Sequence, residues 1–289
     1  MVKTEDGLSL FAREVGRGEA VAIPNRIYLQ EYFEHLATNR LFIFYDPRNR
    51  GFSDGVTDES KLARGIHHDV DDLEALRTHY GLERMAILAH SYIAVAAILY
   101  AVSYPDRVSR LILIGAPPPD PSASYQPPLR SSDGTLETFQ QRFAELRNRM
   151  GSLSPGDFCQ QTWALLRMLY VEKPEDADRL HWAPCDVTNE LNFLQPFLKY
   201  IAPSLAALRP TAEFLAKATA PVLLIHGRND RSAPYGGGVD WARLLPNARL
   251  LTVDHAAHVP WIEAPNLVYG AIETFLTGAW PSAAEEIRA

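Results

Sequence analysis

Short apolar runs alternate along the first part of the chain with segments whose apolar residues recur every three or four positions. Residues 8–15 alternate weakly and predict a strand. Residues 20–24, 41–45 (LFIFY), 84–89 and 108–114 (VSRLILI) are compact apolar runs that predict strands, and the β-branched and aromatic residues of 41–45 give it the look of a buried one. Between them, residues 69–80 place Val70, Leu73, Leu76 and Tyr80 on one helical face, with acids crowding the first turn where the helix dipole favours them. Residues 92–104 are a second helix, rich in Ala and Leu and stopped by Pro105. The texture then changes: Pro117, Pro118, Pro119, Pro121, Pro127 and Pro128 mark a boundary, and residues 136–208 read as helical throughout. Past Pro210 the alternation resumes, with strands at 221–226 (PVLLIH) and 248–253 and helices at 239–245 and 266–276. This order predicts an α/β fold: a mostly parallel sheet covered by helices on both faces, built from residues 1–116 and 211–289, with residues 117–210 as an inserted helical cap.

Composition adds exclusions. The 289 residues are 47% hydrophobic and 22% charged, which excludes wholesale disorder. A net charge of −7 and the lack of a basic stripe argue against a nucleic-acid partner, because phosphate contacts need clustered Lys and Arg. The longest apolar run, from Tyr92 to Val102, is too short to span a membrane, which takes about 18 residues or more. The acidic N-terminus has no apolar signal segment, so the expectation is a soluble, cytoplasmic protein with a small-molecule substrate and no membrane partner. Two cysteines, Cys159 and Cys185, are too few for a disulfide framework and are expected as small core side chains. Oligomeric state is not readable.

In an open parallel sheet, ligands bind beyond the carboxyl ends of the strands, so chemistry is sought just after each one. Ser91 stands between the strand ending at Ala89 and the helix starting at Tyr92, on a sharp turn beside free helix N–H groups. Its bland alternative is a helix N-cap. Asp230 follows the strand at 221–226, and His258 follows the strand at 248–253. Singly each is an ordinary loop residue. Together Ser91, Asp230 and His258 have the types and the chain order of a nucleophile–acid–base set: serine needs a base to accept its proton, and the imidazole needs an acid to hold its tautomer.

Further stretches extend the pattern. Asp46-Pro47-Arg48-Asn49-Arg50-Gly51-Phe52-Ser53-Asp54, Ala89-His90-Ser91-Tyr92-Ile93, Gly227-Arg228-Asn229-Asp230 and Ala257-His258-Val259-Pro260-Trp261-Ile262-Glu263-Ala264-Pro265 resemble, in that order, the D-x-R-G-x-G-x-S loop, the G-x-S-x-G elbow, the acid turn and the G-H-x-x-x-x-E-x-P stretch of the α/β-hydrolase superfamily. The placement of the insert is most similar to its small-molecule esterase and proline iminopeptidase branch. Asn49 stands where Gly is usual, and Asn tolerates a left-handed backbone. Ile93 replaces a Gly that allows close helix–strand packing. Asn25-Arg26 stands where the family has His-Gly, so the resemblance implies an oxyanion hole from the N–H groups of Tyr92 and Ile27.

The resemblance implies a serine hydrolase, with a carboxylic ester or lactone as the expected substrate and no cofactor. Ser91 would be the nucleophile, His258 the base and Asp230 its orienting acid. Proline iminopeptidase activity, a non-hydrolytic lyase-type reaction and a ligand-binding role with little turnover stay open, the last because of Ile93 and Arg26. Arg26, Tyr28 and Trp163 are the candidate substrate-binding residues, and an Arg26 turned inward would suit an anionic group. Asp186 and Glu190 would hold the free amine in the peptidase reading. Asp120 is the alternative acid. His67 and His68 beside Asp69, or the pair His255 and His258, could form part of a metal site, but acids in a first helical turn need no metal, and no metal is expected.

Overall fold

The computed structural model describes residues 1–181 and 184–288. The described residues form ten strands. The first two, β1 (Val2–Lys3) and β2 (Ser9–Leu10), pair with each other in a small antiparallel ribbon. The remaining eight, β3 (Ala12–Gly16), β4 (Glu19–Pro24), β5 (Arg40–Tyr45), β6 (Met85–His90), β7 (Val108–Ile114), β8 (Val222–Gly227), β9 (Ala248–Val253) and β10 (Ala284–Glu285), form one sheet in the order β10-β9-β8-β7-β6-β4-β5-β3. From β5 to β9 all neighbours are parallel; β3 and β10 close the two edges antiparallel. The expected mostly parallel sheet is therefore present.

Alternate residues of the strands go to opposite sides, as the pleat requires. In β6, Ile87 and Ala89 join one core with α2 (His67–His79) and α3 (Tyr92–Ser103). Ala86 and Leu88 join the other, with α1 (Arg26–Phe33) and the helix Pro265–Leu276. Every β6 residue is buried, which is why the strand reads as an unbroken apolar run. Among the elements that the periodicity misses are β1, α1 and the C-terminal β10. It also starts the helix Tyr235–Leu244 late, because Gly236, Gly237 and Gly238 are poor helix formers that the packing selects. A Cβ at Gly237 would crowd Pro118, and one at Gly238 would meet the His226 ring.

Between β7 and β8 the described residues form only helices, from α4 (Thr135–Asn148) through α5 (Pro155–Tyr170) and α6 (Thr188–Asn192) to a short helix Ala212–Leu215. Here the expectation for the cysteines is corrected. Cys159 in α5 and Cys185 before α6 are bonded to each other, with Cα atoms 6.0 Å apart, and so tie α5 to the start of the next helical segment. Tertiary packing, not spacing, brings them together. No described helix is long and apolar enough to cross a membrane.

Candidate active site

The chain places β5 on one side of β4 and then returns to place β6 on the other. The β4/β6 junction is thus the point where strand order reverses, and a crevice opens there at the carboxyl ends. Ser91 leaves β6 with φ 60° and ψ −138°, a backbone that a non-glycine residue adopts at a cost of about 1–3 kcal/mol. The elbow is held by Ser91 N–H donating to Ile114 O (2.9 Å) and Ala94 N–H donating to Ser91 O (2.9 Å). Ser91 is not a simple N-cap, since its side chain caps no N–H of α3. Ile93, which stands where the family has Gly, is buried in the core that α3 shares with β6.

Asp230 and His258 meet at the same edge. His258 Nδ1 lies 2.8 Å from Asp230 Oδ2, and both side chains are fully buried. Asp230 Oδ1 accepts the N–H groups of Ser232 and Ala233, each at 2.8 Å. A second histidine, His226, presents Nε2 3.3 Å from Oδ2 while also donating to Ala233 O (2.8 Å). Burial alone would raise the Asp230 pKa. Electrostatic attraction to His258 and the hydrogen bonds of His226 and His258 outweigh it and hold the carboxyl well below its ordinary range. His226, in β8, thus also serves the acid.

His258 is fixed on every side. Its N–H donates to Tyr170 O at the end of α5 (3.0 Å), and its carbonyl accepts His90 Nε2–H (3.0 Å). Its ring packs against His90 (centroids 4.5 Å apart) and Tyr170 (4.7 Å). Burial first, and the neighbouring His258 second, hold His90 neutral. The preceding residue, Ala257, donates its N–H to Glu263 Oε2 (2.6 Å), so the Glu of the histidine stretch pins the loop. Under the pair lies Gly115, with φ +57°, at the end of β7; a Cβ there would stand 2.9 Å from His258 Nδ1. Gly115 and His226 are the residues that the sequence reading does not single out for the site. His258 Nε2 is buried and has no hydrogen-bond partner among the described residues, so the Ser91 hydroxyl is not bonded to it in this unliganded arrangement, where such contacts are commonly loose.

The oxyanion donors need one correction. Ile27 N–H donates to Asp46 Oδ1 (2.8 Å) and is not free for a substrate. The left-handed residue is Asn25 (φ 70°), one position earlier than the Gly match places it. The N–H that then opens α1 unpaired among the described residues is that of Arg26. Tyr92 likewise opens α3.

Arg26 is corrected too. Its side chain turns away from the crevice, donating to Asp46 Oδ2 (3.2 Å) and Gln30 Oε1 (3.3 Å) and lying over the rings of Phe11 and Phe52. Tyr28 and Trp163 do line the crevice, which extends into a cavity of about 290 Å³ together with Ser91, Phe139, Phe158 and Phe197. Asp186 is exposed, whereas Glu190 is buried at the cavity wall. Asp120 is half-buried; it accepts from Ser122 and lies 3.6 Å from Arg209 in an ion pair outside the trio. Asn49 adopts the expected left-handed backbone, with φ 60°. Among the described residues no three His, Cys, Asp or Glu side chains gather in a way that would hold a metal ion; His68 Nδ1 lies 3.5 Å from Asp71, and His255 is exposed.

The model of the α/β-hydrolase fold family matches residues 24–265, which run from the last residue of β4 through the elbow, the acid turn and the histidine loop. The chain belongs to the α/β-hydrolase family. It is 28% identical over 186 residues to a pimeloyl-[acyl-carrier protein] methyl ester esterase of Nitrosomonas europaea, covering 63% of this chain and 67% of that one. It is 27% identical over 247 residues to a putative proline iminopeptidase of Mycoplasma pneumoniae, covering 75% of each. The structure of a thermophilic esterase from Thermogutta terrifontis superimposes with a TM-score of 0.69 over 97% of this chain and 98% of that one, at 20% identity, a likeness of fold. Family and relatives together make this α/β-hydrolase a hydrolytic enzyme.

Proposed function

We propose that this α/β-hydrolase is a serine esterase that cleaves a small carboxylic ester or lactone through an acyl-enzyme. Ser91 Oγ attacks the carbonyl carbon while His258 Nε2 accepts its proton. Asp230 keeps the other ring proton on Nδ1 and stabilises the imidazolium that forms. The N–H groups of Tyr92 and Arg26, each the unsatisfied first donor of a helix, stabilise the tetrahedral oxygen. His258 then returns the proton to the leaving alcohol, and a water activated by the same base releases the acid. No cofactor takes part. The helical stretch 117–210 acts as a cap whose aromatic side chains receive the apolar part of the substrate.

The observation that carries this reading is the fully buried His258–Asp230 pair beside a serine held at positive φ on a strand–helix elbow. The esterase named among the relatives supports ester chemistry. The putative iminopeptidase relative points to an amine substrate, but Glu190 already accepts Arg50 and the Gly51 N–H, and Asp186 faces solvent. Neither acid is free to hold an amine. A binder without turnover loses the motive drawn from Arg26, whose side chain is held by Asp46 and Gln30.

Incubation with a fluorophosphonate is expected to label Ser91, and p-nitrophenyl butyrate is expected to be hydrolysed. Ser91→Ala should abolish labelling and lower kcat by about 10³-fold or more, with the melting temperature kept. Labelling that survives in Ser91→Ala would overturn the assignment.

A further inference from the structure

Two charged side chains, Arg50 and Glu190, stand among the described residues that line the cavity, and each is spent on the other. Arg50 Nε donates to Glu190 Oε1 and Nη2 to Oε2, both at 2.9 Å, in a two-pronged pair. Gly51 N–H adds a third donor to Oε1 at 2.7 Å. The Arg50 side chain is 5% exposed and that of Glu190 0%. The guanidinium lies 3.9 Å above the Phe193 ring, a further cavity-lining residue. The residue before Glu190 in α6, Asn189, donates to the carbonyls of Gly51 (3.1 Å) and Ser53 (2.6 Å), so the pair sits in a tight seam between the loop after β5 and the helical stretch. The rest of the wall is mostly aromatic and aliphatic, with Phe139, Phe143, Phe158, Trp163 and Leu166 among it.

We propose that the Arg50–Glu190 pair sets the substrate class of this site: a neutral, aryl-bearing or similarly apolar ester, with anionic and cationic esters both rejected. This rests on the serine-esterase reading of Ser91. The physical argument is one of compensation. A buried charge is tolerated where an opposite charge and hydrogen bonds replace its water. Here each charge is already balanced, so a substrate carboxylate finds a guanidinium whose fork is occupied, and a substrate ammonium finds a carboxylate with three donors on it. Either ion would enter an apolar cavity unpaired. Removing one partner reverses the sign. Without the Glu190 charge, Arg50 becomes a carboxylate receptor; without the Arg50 charge, Glu190 becomes an ammonium receptor.

The test uses three acetate esters of similar size that release a phenol: 4-ethylphenyl acetate, 4-acetoxybenzoate and 4-(aminomethyl)phenyl acetate. The wild-type protein is expected to prefer the neutral ester by about 100-fold or more in kcat/KM over each charged one, after correction for their spontaneous hydrolysis. Glu190→Gln should raise the anionic-to-neutral ratio by about tenfold or more. Arg50→Gln should raise the cationic-to-neutral ratio by a similar factor. A merely structural role would lower all three substrates together and leave the ratios unchanged. Equal wild-type rates on the three esters, or a Glu190→Gln that leaves the anionic-to-neutral ratio and an Arg50→Gln that leaves the cationic-to-neutral ratio unchanged, would overturn the proposal.

If a single variant fails to fold, the wild-type series still decides the selectivity. Calorimetric binding of the product phenols to Ser91→Ala separates the two readings: charge discrimination there without any ester turnover in the wild type refutes the esterase reading alone. Equal affinity for 4-ethylphenol, 4-hydroxybenzoate and 4-hydroxybenzylamine refutes this one.

Discussion

Replacing Gly115 by Ala tests how closely the end of β7 supports the His258–Asp230 pair. A Cβ built there stands 2.9 Å from His258 Nδ1, 3.1 Å from Cε1 and 3.4 Å from Asp230 Oδ2. Ordinary carbon contacts begin near the last of these distances, so the ring must give way by about half an ångström. It has little room to do so, because His90 and Tyr170 pack on it and its backbone is held at both N–H and C=O. Gly115 itself is tied by its N–H to Ile225 O at 3.0 Å. The strain therefore falls on the 2.8 Å His258–Asp230 hydrogen bond. Two costs add. A left-handed alanine costs about 1–2 kcal/mol, and forcing a methyl into a packed site costs about 1–3 kcal/mol more. Gly81 separates them: its φ is +61°, but a Cβ there meets nothing within 4 Å. Gly81→Ala should lose only the backbone cost, with full activity. Gly115→Ala should lose about 2–5 kcal/mol in urea unfolding and roughly 10- to 100-fold in kcat on p-nitrophenyl butyrate, since a displacement of this order in a catalytic group has effects of that size. KM should change little, because Gly115 does not line the cavity. A kcat within threefold of that of Gly81→Ala would refute the claim that β7 supports the pair this closely.

Asp230→Asn keeps the shape but removes the charge that holds the Nδ1 tautomer; kcat should fall about 10³-fold or more, and fluorophosphonate labelling should slow with it. Asp69, in α2 and buried, has a pKa pushed up to about 8 by desolvation and by the adjacent Asp72. The folded state therefore keeps a proton that the unfolded chain loses near pH 4, and this group's stabilising contribution, full at low pH, falls by about 1.4 kcal/mol per pH unit until the folded pKa is passed. Asp69→Asn should match the wild type near pH 4 and become the more stable of the two toward pH 8, by urea unfolding at each pH; parallel curves would refute the assignment. Arg26→Ala leaves Asp46 buried with only backbone donors and should destabilise by about 1–3 kcal/mol, while kcat/KM for neutral and carboxylate-bearing esters changes by the same factor; a selective loss on the anionic ester would restore an inward-facing role.

What the chain determines by itself is the order of elements and the chemistry at their ends. Runs such as LFIFY and MAILA are apolar at every position because both faces of their strands are buried, and that local pattern needs no tertiary knowledge to be read. Parallel strands also put every loop after a strand on one edge, so Ser91, Asp230 and His258 can be brought together from order alone. Tertiary structure decides whatever depends on which way a side chain turns. Arg26, at the start of α1, and Arg50, in the loop after β5, both stand near the crevice, yet one reaches outward to Asp46 and the other across to Glu190, 140 residues away. The left-handed step at Asn25 moves the free N–H from Ile27 to Arg26, a one-residue shift that no periodicity records. Cys159 meets Cys185, and Gly115 and His226 acquire roles, only because packing places them against partners distant in sequence. The physical reason is common to all of them. Hydrophobic periodicity encodes which face of an element is buried, a local and repeated signal, whereas pairing of polar groups is a single long-range contact that leaves no repeat in the chain.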